Sequence, residues 1–181
     1  MKKILFIAMG MILAAAGAAM AADSQPIQLS LTPDVAIFDT NTTIEGVSLS
    51  IWGENPQKAF ALGFANGSRG ESAGFSLGII LNYAETYKGV QWGLVNYVSK
   101  DFYGWQDGLV NYTDNAMKGF QSGVVNCAGV LTGLQLGVVN YAAKADSGLQ
   151  IGVVNVISEN KWFSNFPSEL ATGMIIVNWR F

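Results

Sequence analysis

Residues 133–141 read GLQLGVVNY, and the chain writes variants of this phrase repeatedly: GFSLGIILN from Gly74, GVQWGLVNY from Gly89, GWQDGLVNY from Gly104, GFQSGVVNC from Gly119 and GLQIGVVNV from Gly148. The units recur every 15 residues, with one step of 14. Between them lie VSKDFY, TDNAMK, AGVLT and AAKADS, which hold most of the charges and turn-forming residues of this region. Each unit therefore reads as a nine-residue strand followed by a tight turn. Successive side chains of a strand point to opposite faces. Leu134, Leu136 and Val138 share one face, and Gly133, Gln135, Gly137, Val139 and Tyr141 share the other. The first face is apolar in nearly every unit; the second is a file of small residues with one amide.

Strands of this kind, laid side by side as an antiparallel meander, predict an all-β fold closed into a small transmembrane β-barrel of about 8–10 strands. The apolar face would meet lipid and the glutamine face a narrow interior. In that meander Tyr97 lies over Gly104 and Tyr112 over Gly119, so that a ring covers each missing side chain. A barrel closes only if its strands are staggered, so alternate hairpins must shift register by about two residues. Upstream, TIEGVSLSIWG and KAFALGFAN continue the alternation, and PIQLSLTPDVAIFD follows it until Pro33 breaks it or marks an edge. Asp107 interrupts the apolar face, where a lipid-facing carboxylate is costly.

The two ends add an expected location. Lys2 and Lys3 precede an uncharged run that ends Ala19-Met20-Ala21, the pattern of a cleaved secretory leader over residues 1–22. Residues 23–181 are then one domain containing the repeats at 74–156. Both early lysines leave with the leader, so 8 basic residues face 13 acidic ones and the net charge is near −5, which argues against a nucleic-acid surface. Cys127, the single cysteine, stands where most units have Tyr and reads as a small apolar filler. The chain closes on GMIIVNWRF, with Ile175, Val177, Trp179 and Phe181 at alternate positions. This resembles the C-terminal insertion signal of outer-membrane barrel proteins. The resemblance implies the bacterial outer membrane, with lipid and the barrel-assembly machinery as partners.

The tandem G-x-Q-x-G-[LV]-V-N-Y units themselves resemble a family of bacterial surface-repeat proteins, exported chains built from 15-residue repeats. The resemblance covers residues 74–156 closely and 44–66 loosely. It implies a β-rich surface or outer-membrane protein and brings no activity with it. GFSLGIILN departs from the pattern, with Ser76 in place of Gln and one extra residue before Asn82.

A search for chemistry returns little. The chain has no histidine, which removes the Ser-His-Asp triad and His-based metal sites. No cofactor motif is present, and the acids fall mostly in the turns. Gln91, Gln106, Gln121, Gln135 and Gln150 are the interior polar positions; they either line a narrow polar path or, as the preferred reading, fill the interior by bonding one another. The recurring Asn reads as an end-of-strand amide near the headgroups. Residues 157–173 break the period and gather Trp162, Phe163 and Phe166, the candidate loop contacts.

The reading that results is a small outer-membrane β-barrel with a structural or surface-interaction role, no catalytic activity and no identified ligand. A narrow channel for small solutes is one alternative. The other is a secreted β-solenoid binding module, in which each 15-residue unit is one coil and the asparagines stack as a ladder. The solenoid accounts better for the constant period. It is expected, however, to bury Leu134 and Leu136 and to expose Gln135.

Overall fold

A computed structural model describes residues 24–181, and the expected leader at 1–22 lies outside them. The elements are β1 (Ser24–Thr32), β2 (Val35–Ala36), β3 (Thr43–Glu54), β4 (Phe60–Val98), β5 (Phe102–Ile157) and β6 (Gly173–Arg180). β5 is 56 residues long. At about 3.3 Å per residue a straight strand of that length would extend roughly 180 Å, several domain diameters. β4 and β5 wind instead into a β-solenoid, through about six turns.

The pairing is parallel and sets like on like: Gly89 against Gly104, Gln91 against Gln106, Asn96 against Asn111, Tyr97 against Tyr112. The expected antiparallel meander and transmembrane barrel are thereby corrected. Tyr97 lies beside Tyr112, not over Gly104, and their ring centroids are 5.8 Å apart. The physical reason is the constant period. A repeat that returns each residue to its own copy gives no stagger, and a sheet without stagger cannot close into a barrel, whereas stacked coils require that very repetition.

Strict alternation cannot put positions three and eight of one unit on the same side, since they differ in parity. In the structure both point inward: Gln91 and Asn96, like their counterparts in later units, are buried. The chain must therefore bend between them, and the glycine at position five is where it does. A Cβ on Gly108 would overlap the Gly93 carbonyl oxygen of the coil below. At the unit's first position Gly89, Gly104, Gly119 and Gly133 have φ between 128° and 138°, a conformation that side chains rarely adopt. A Cβ on Gly104 would overlap the Gly89 carbonyl oxygen, so the stack requires glycine there twice over.

The hydrophobic core sits where the sequence reads as turns. Tyr87, Phe102, Met117 and Leu131 form one buried file, Val98, Ala128, Ala142 and Ile157 another. All lie between the nine-residue units or at their margins. In the segment VSKDFY, Ser99, Lys100 and Asp101 form a bend between β4 and β5, while Val98 and Phe102 on either side are buried; the strands it joins run parallel, so it is not a hairpin turn. Tyr87 stacks on Phe102 at 6.3 Å between centroids, and its hydroxyl has no partner; burial pushes that group's pKa up.

Two amide ladders complete the interior. Asn82 Nδ2 donates to Asn96 Oδ1 at 2.7 Å, Asn96 to Asn111 at 2.8 Å, Asn111 to Asn126 at 2.8 Å, Asn126 to Asn140 at 2.9 Å and Asn140 to Asn155 at 2.8 Å. The second hydrogen of each amide reaches a position-four carbonyl of the next coil, as Asn96 Nδ2 does to Asp107 O at 2.9 Å and Asn111 Nδ2 to Ser122 O at 2.8 Å. The bend at position five removes that carbonyl from the regular ladder, and Asn supplies its missing donor. The asparagines are thus buried, load-sharing rungs, and the headgroup role expected of them is corrected. The glutamines run the other way: Gln106 Nε2 donates back to Gln91 Oε1 at 3.1 Å, Gln121 to Gln106 at 2.8 Å, Gln135 to Gln121 at 2.7 Å and Gln150 to Gln135 at 2.8 Å. The two ladders therefore run with opposite donor directions along the stack.

Both ends of the stack are covered. At the first coil, β2 pairs antiparallel with β1, and Gln28 Nε2 donates to Phe38 O at 2.7 Å and to Asn55 Oδ1 at 3.0 Å. At the last, the chain leaves the helical path at Ile157 and β6 returns antiparallel on β5. Asn178 stands opposite Gln150 and donates to Ala171 O at 2.8 Å. Buried Glu169 accepts from the Lys161 N–H at 3.0 Å and from Asn165 Nδ2 at 2.9 Å, and pairs with Arg180 at 3.4 Å. The Lys161 N–H, foremost, holds this carboxyl below the usual carboxylate range.

Candidate functional site

Residues at positions two, four, six and seven point out of the coil and stack into rows along the solenoid axis. The position-six row runs Leu31, Ile51, Phe64, Ile79, Leu94, Leu109, Val124, Val138, Val153 with no polar interruption. Leu94 is 47% exposed and Val153 62%. The expectation that a solenoid would bury Leu136 and expose Gln135 is corrected: Gln135 is 0% exposed and Leu136 45%. Behind this side the coil interior is filled by amides that bond one another, so the aliphatics at positions two, four, six and seven are left outside.

An aromatic stack runs along this side, with Phe60, Phe75, Trp105 and Phe120 from the position-two row and Trp92 from the position-four row. Ring centroids of Phe60 and Phe75 are 5.6 Å apart, Phe75 and Trp92 5.2 Å, Trp92 and Trp105 5.1 Å, Trp105 and Phe120 6.0 Å. Such pairs stabilise beyond their buried area by about 0.5–1.5 kcal/mol each. They form the rigid floor of this side. Asp107 stands at position four beside them, and the Ser122 hydroxyl donates to its carboxylate, while Trp105 Nε1 donates to Ser122 Oγ at 2.9 Å. Asp107 and Ser122 are the polar break in an otherwise apolar side. Beyond the rows, the Tyr97 hydroxyl donates to Asp114 Oδ2 at 2.8 Å, which holds its proton above the ordinary tyrosine range. Cys127 occupies this tyrosine row, and burial raises its thiol pKa.

Apart from Asp107, the paired charges lie on the rest of the circumference. Lys100 pairs with Glu85 at 2.8 Å, Lys144 with Asp146 at 3.1 Å and Lys58 with Glu45 at 3.3 Å. These exposed pairs contribute little stability, since solvent screens them. Their consequence is sidedness: the rod is apolar along one side and charged along the other.

The two ends of the apolar side differ in shape. At the N-terminal end the β1–β2 turn leaves an open groove of about 570 Å³, lined by Leu29, Leu31, Val35, Ile37, Leu49 and Ile51. At the C-terminal end β6 extends the rows. Val177 pairs with Ile151 and Trp179 with Leu149, and Ile175 projects at 70% exposure. Trp179 Nε1 donates to Pro167 O at 2.9 Å. Of the residues expected to form an insertion signal, Ile175, Val177 and Trp179 are therefore rungs of the apolar side, and Phe181 follows as an exposed terminal ring. Trp162, Phe163 and Phe166 are exposed in the loop before β6, with Trp162 and Phe163 6.1 Å apart and Phe166 6.4 Å from Trp179.

The five glutamines lie inside, bonded in file, and present nothing to solvent. The groove is the feature that alternation alone does not reveal, because it depends on the β1–β2 turn. Comparison with family models, with curated proteins and with solved structures finds no match for the chain.

Proposed function

We propose that the protein is an exported β-solenoid interaction module without catalytic activity, whose working surface is the apolar side of the rod. One observation carries the reading: the position-six row stays apolar and about half exposed from Leu31 to Val153. Exposed apolar patches beyond a few hundred Å² mark interaction sites in proteins at large. The leader expected at residues 1–22 and the 15-residue repeat support a location outside the bacterial cytoplasm, and the absence of histidine from the sequence supports a non-catalytic role.

The test compares the exported chain, purified without detergent, with the double variant Leu109→Glu, Val138→Glu. Two readouts apply: self-association by sedimentation, and co-flotation with phosphatidylethanolamine–phosphatidylglycerol vesicles. The module reading expects the parent to associate in at least one of them and the variant to lose that association with its circular dichroism unchanged. A parent inert in both, or a variant that associates as the parent does, would refute it. A β-rich species that needs detergent and migrates differently before and after boiling would also count against it.

A further inference from the structure

We infer that the occupant of the apolar side is a second copy of this chain, packed face to face and antiparallel about a two-fold axis. The inference rests on the module reading above and specifies its partner. Shape is the first argument. The groove and the projecting Ile175 lie at opposite ends of one side. A two-fold operation reverses the rod and so brings each groove onto the other copy's projecting end. Two-fold interfaces are self-complementary by construction; here both mismatched ends find their counterpart in a single arrangement.

Area is the second argument. With coils about 4.8 Å apart the position-six row runs roughly 40 Å, and positions two to seven follow about 15 Å of chain contour across the bend at position five. That gives roughly 600 Å² of face per copy before side-chain relief, close to the ~800 Å² per partner of a standard-size interface. Sheets packed face to face sit about 10 Å apart with their inner side chains interdigitated. Rows repeating at the same spacing on both copies suit that packing.

Charge and ends narrow the choice. The chain is acidic, with net charge −3 over the whole sequence, and the position-six row holds no cation. An anionic lipid surface attracts flanking lysines and arginines, which this side does not concentrate. Axial stacking is opposed at both ends, by the two-residue edge strand β2 and by the loop before β6, where the Leu170 N–H donates to Trp179 O at 3.2 Å and the Phe181 N–H to Ser168 O at 2.8 Å, devices that blunt an open sheet edge. Lateral association through the apolar side remains.

On the two-fold, Leu94 at the middle of the position-six row faces Leu94 of the second copy. The experiment is sedimentation equilibrium of the exported chain in detergent-free buffer, with Leu94→Glu alongside, and thiol cross-linking of Leu94→Cys in a Cys127→Ser background. A species of twice the chain mass is expected, with dimerisation weakened about 100-fold or more by Leu94→Glu, since two like charges then meet at the dyad. Leu94→Cys should link into dimers with a short bis-maleimide, and Lys100→Cys on the charged side should not. A monomeric parent that floats with vesicles would overturn the dimer while leaving the module reading in place. A parent inert in both assays would overturn both. Should Leu94→Glu fail to fold, equal cross-linking of Leu94→Cys and Lys100→Cys overturns the dimer by itself.

Discussion

Asn111→Leu tests the amide ladder at its middle. Leucine nearly matches asparagine in shape, so it excludes water while deleting every polar contact. Three partners are stranded: one hydrogen of Asn96 Nδ2 (2.8 Å to Asn111 Oδ1), Asn126 Oδ1 (2.8 Å) and the Ser122 carbonyl (2.8 Å). Asn96, Asn111 and Asn126 are all 0% exposed, so solvent cannot replace what is lost. A buried polar group left unpaired costs about 1–3 kcal/mol, which sets roughly 3–9 kcal/mol for the three. Burying the leucine side chain offsets about 2 kcal/mol. The expected net loss is about 4 kcal/mol, a large share of a typical stability of about 5–15 kcal/mol. Equilibrium urea unfolding followed by circular dichroism measures it, with Leu109→Ala on the exposed row as a control expected to cost about 1 kcal/mol or less. A loss below about 1 kcal/mol for Asn111→Leu would refute the ladder as a structural element.

Gly104→Ala places a Cβ against the Gly89 carbonyl oxygen at φ 137°; destabilisation by more than about 2 kcal/mol in the same assay is expected, and a neutral result would exclude the close stacking of coils. Met117→Ala, in the buried file between the units, should cost about 2–5 kcal/mol by thermal or urea unfolding, whereas a solvent-facing turn residue would cost almost nothing. The Glu169 carboxyl has a lowered pKa in the folded state, so the stability it contributes is present above its unfolded pKa of about 4.3 and is lost as pH falls through the lower folded value. Amide protection across residues 157–180, corrected for the intrinsic exchange rate at each pH, should therefore fall selectively in acid, and Glu169→Gln should already show reduced protection at neutral pH and respond less to acid.

The sequence carries much of this architecture, though unevenly. Alternation sorts glutamines and aliphatics onto opposite faces, and those faces are recognisable in buried Gln135 and exposed Leu136. What it does not yield is the bend. GVQWGLVNY reads as an uninterrupted strand because Gly93 is flanked by good strand formers, and only the joint burial of Gln91 and Asn96 betrays the change of parity. The segments between units mislead in a second way. Lys100 and Asp101 suggest a turn, yet Val98 and Phe102 on either side of them are core. The 15-residue period, broken by a single step of 14, already favours coils that stack like on like. The terminal alternation ending in Phe181 points elsewhere, to a membrane strand, because an apolar outer row looks the same in sequence whichever partner it meets.

The central claim is that each coil lies parallel and in register on the next. A distance between positions nine of consecutive units measures it most directly, with spin labels on Tyr97→Cys and Tyr112→Cys in a Cys127→Ser background. Parallel coils place the two labels one strand spacing apart, and strong dipolar broadening within about 10 Å is expected. An antiparallel meander would put them at opposite ends of neighbouring strands, about 27 Å apart by eight residues of rise, and a distance in that range would contradict the solenoid.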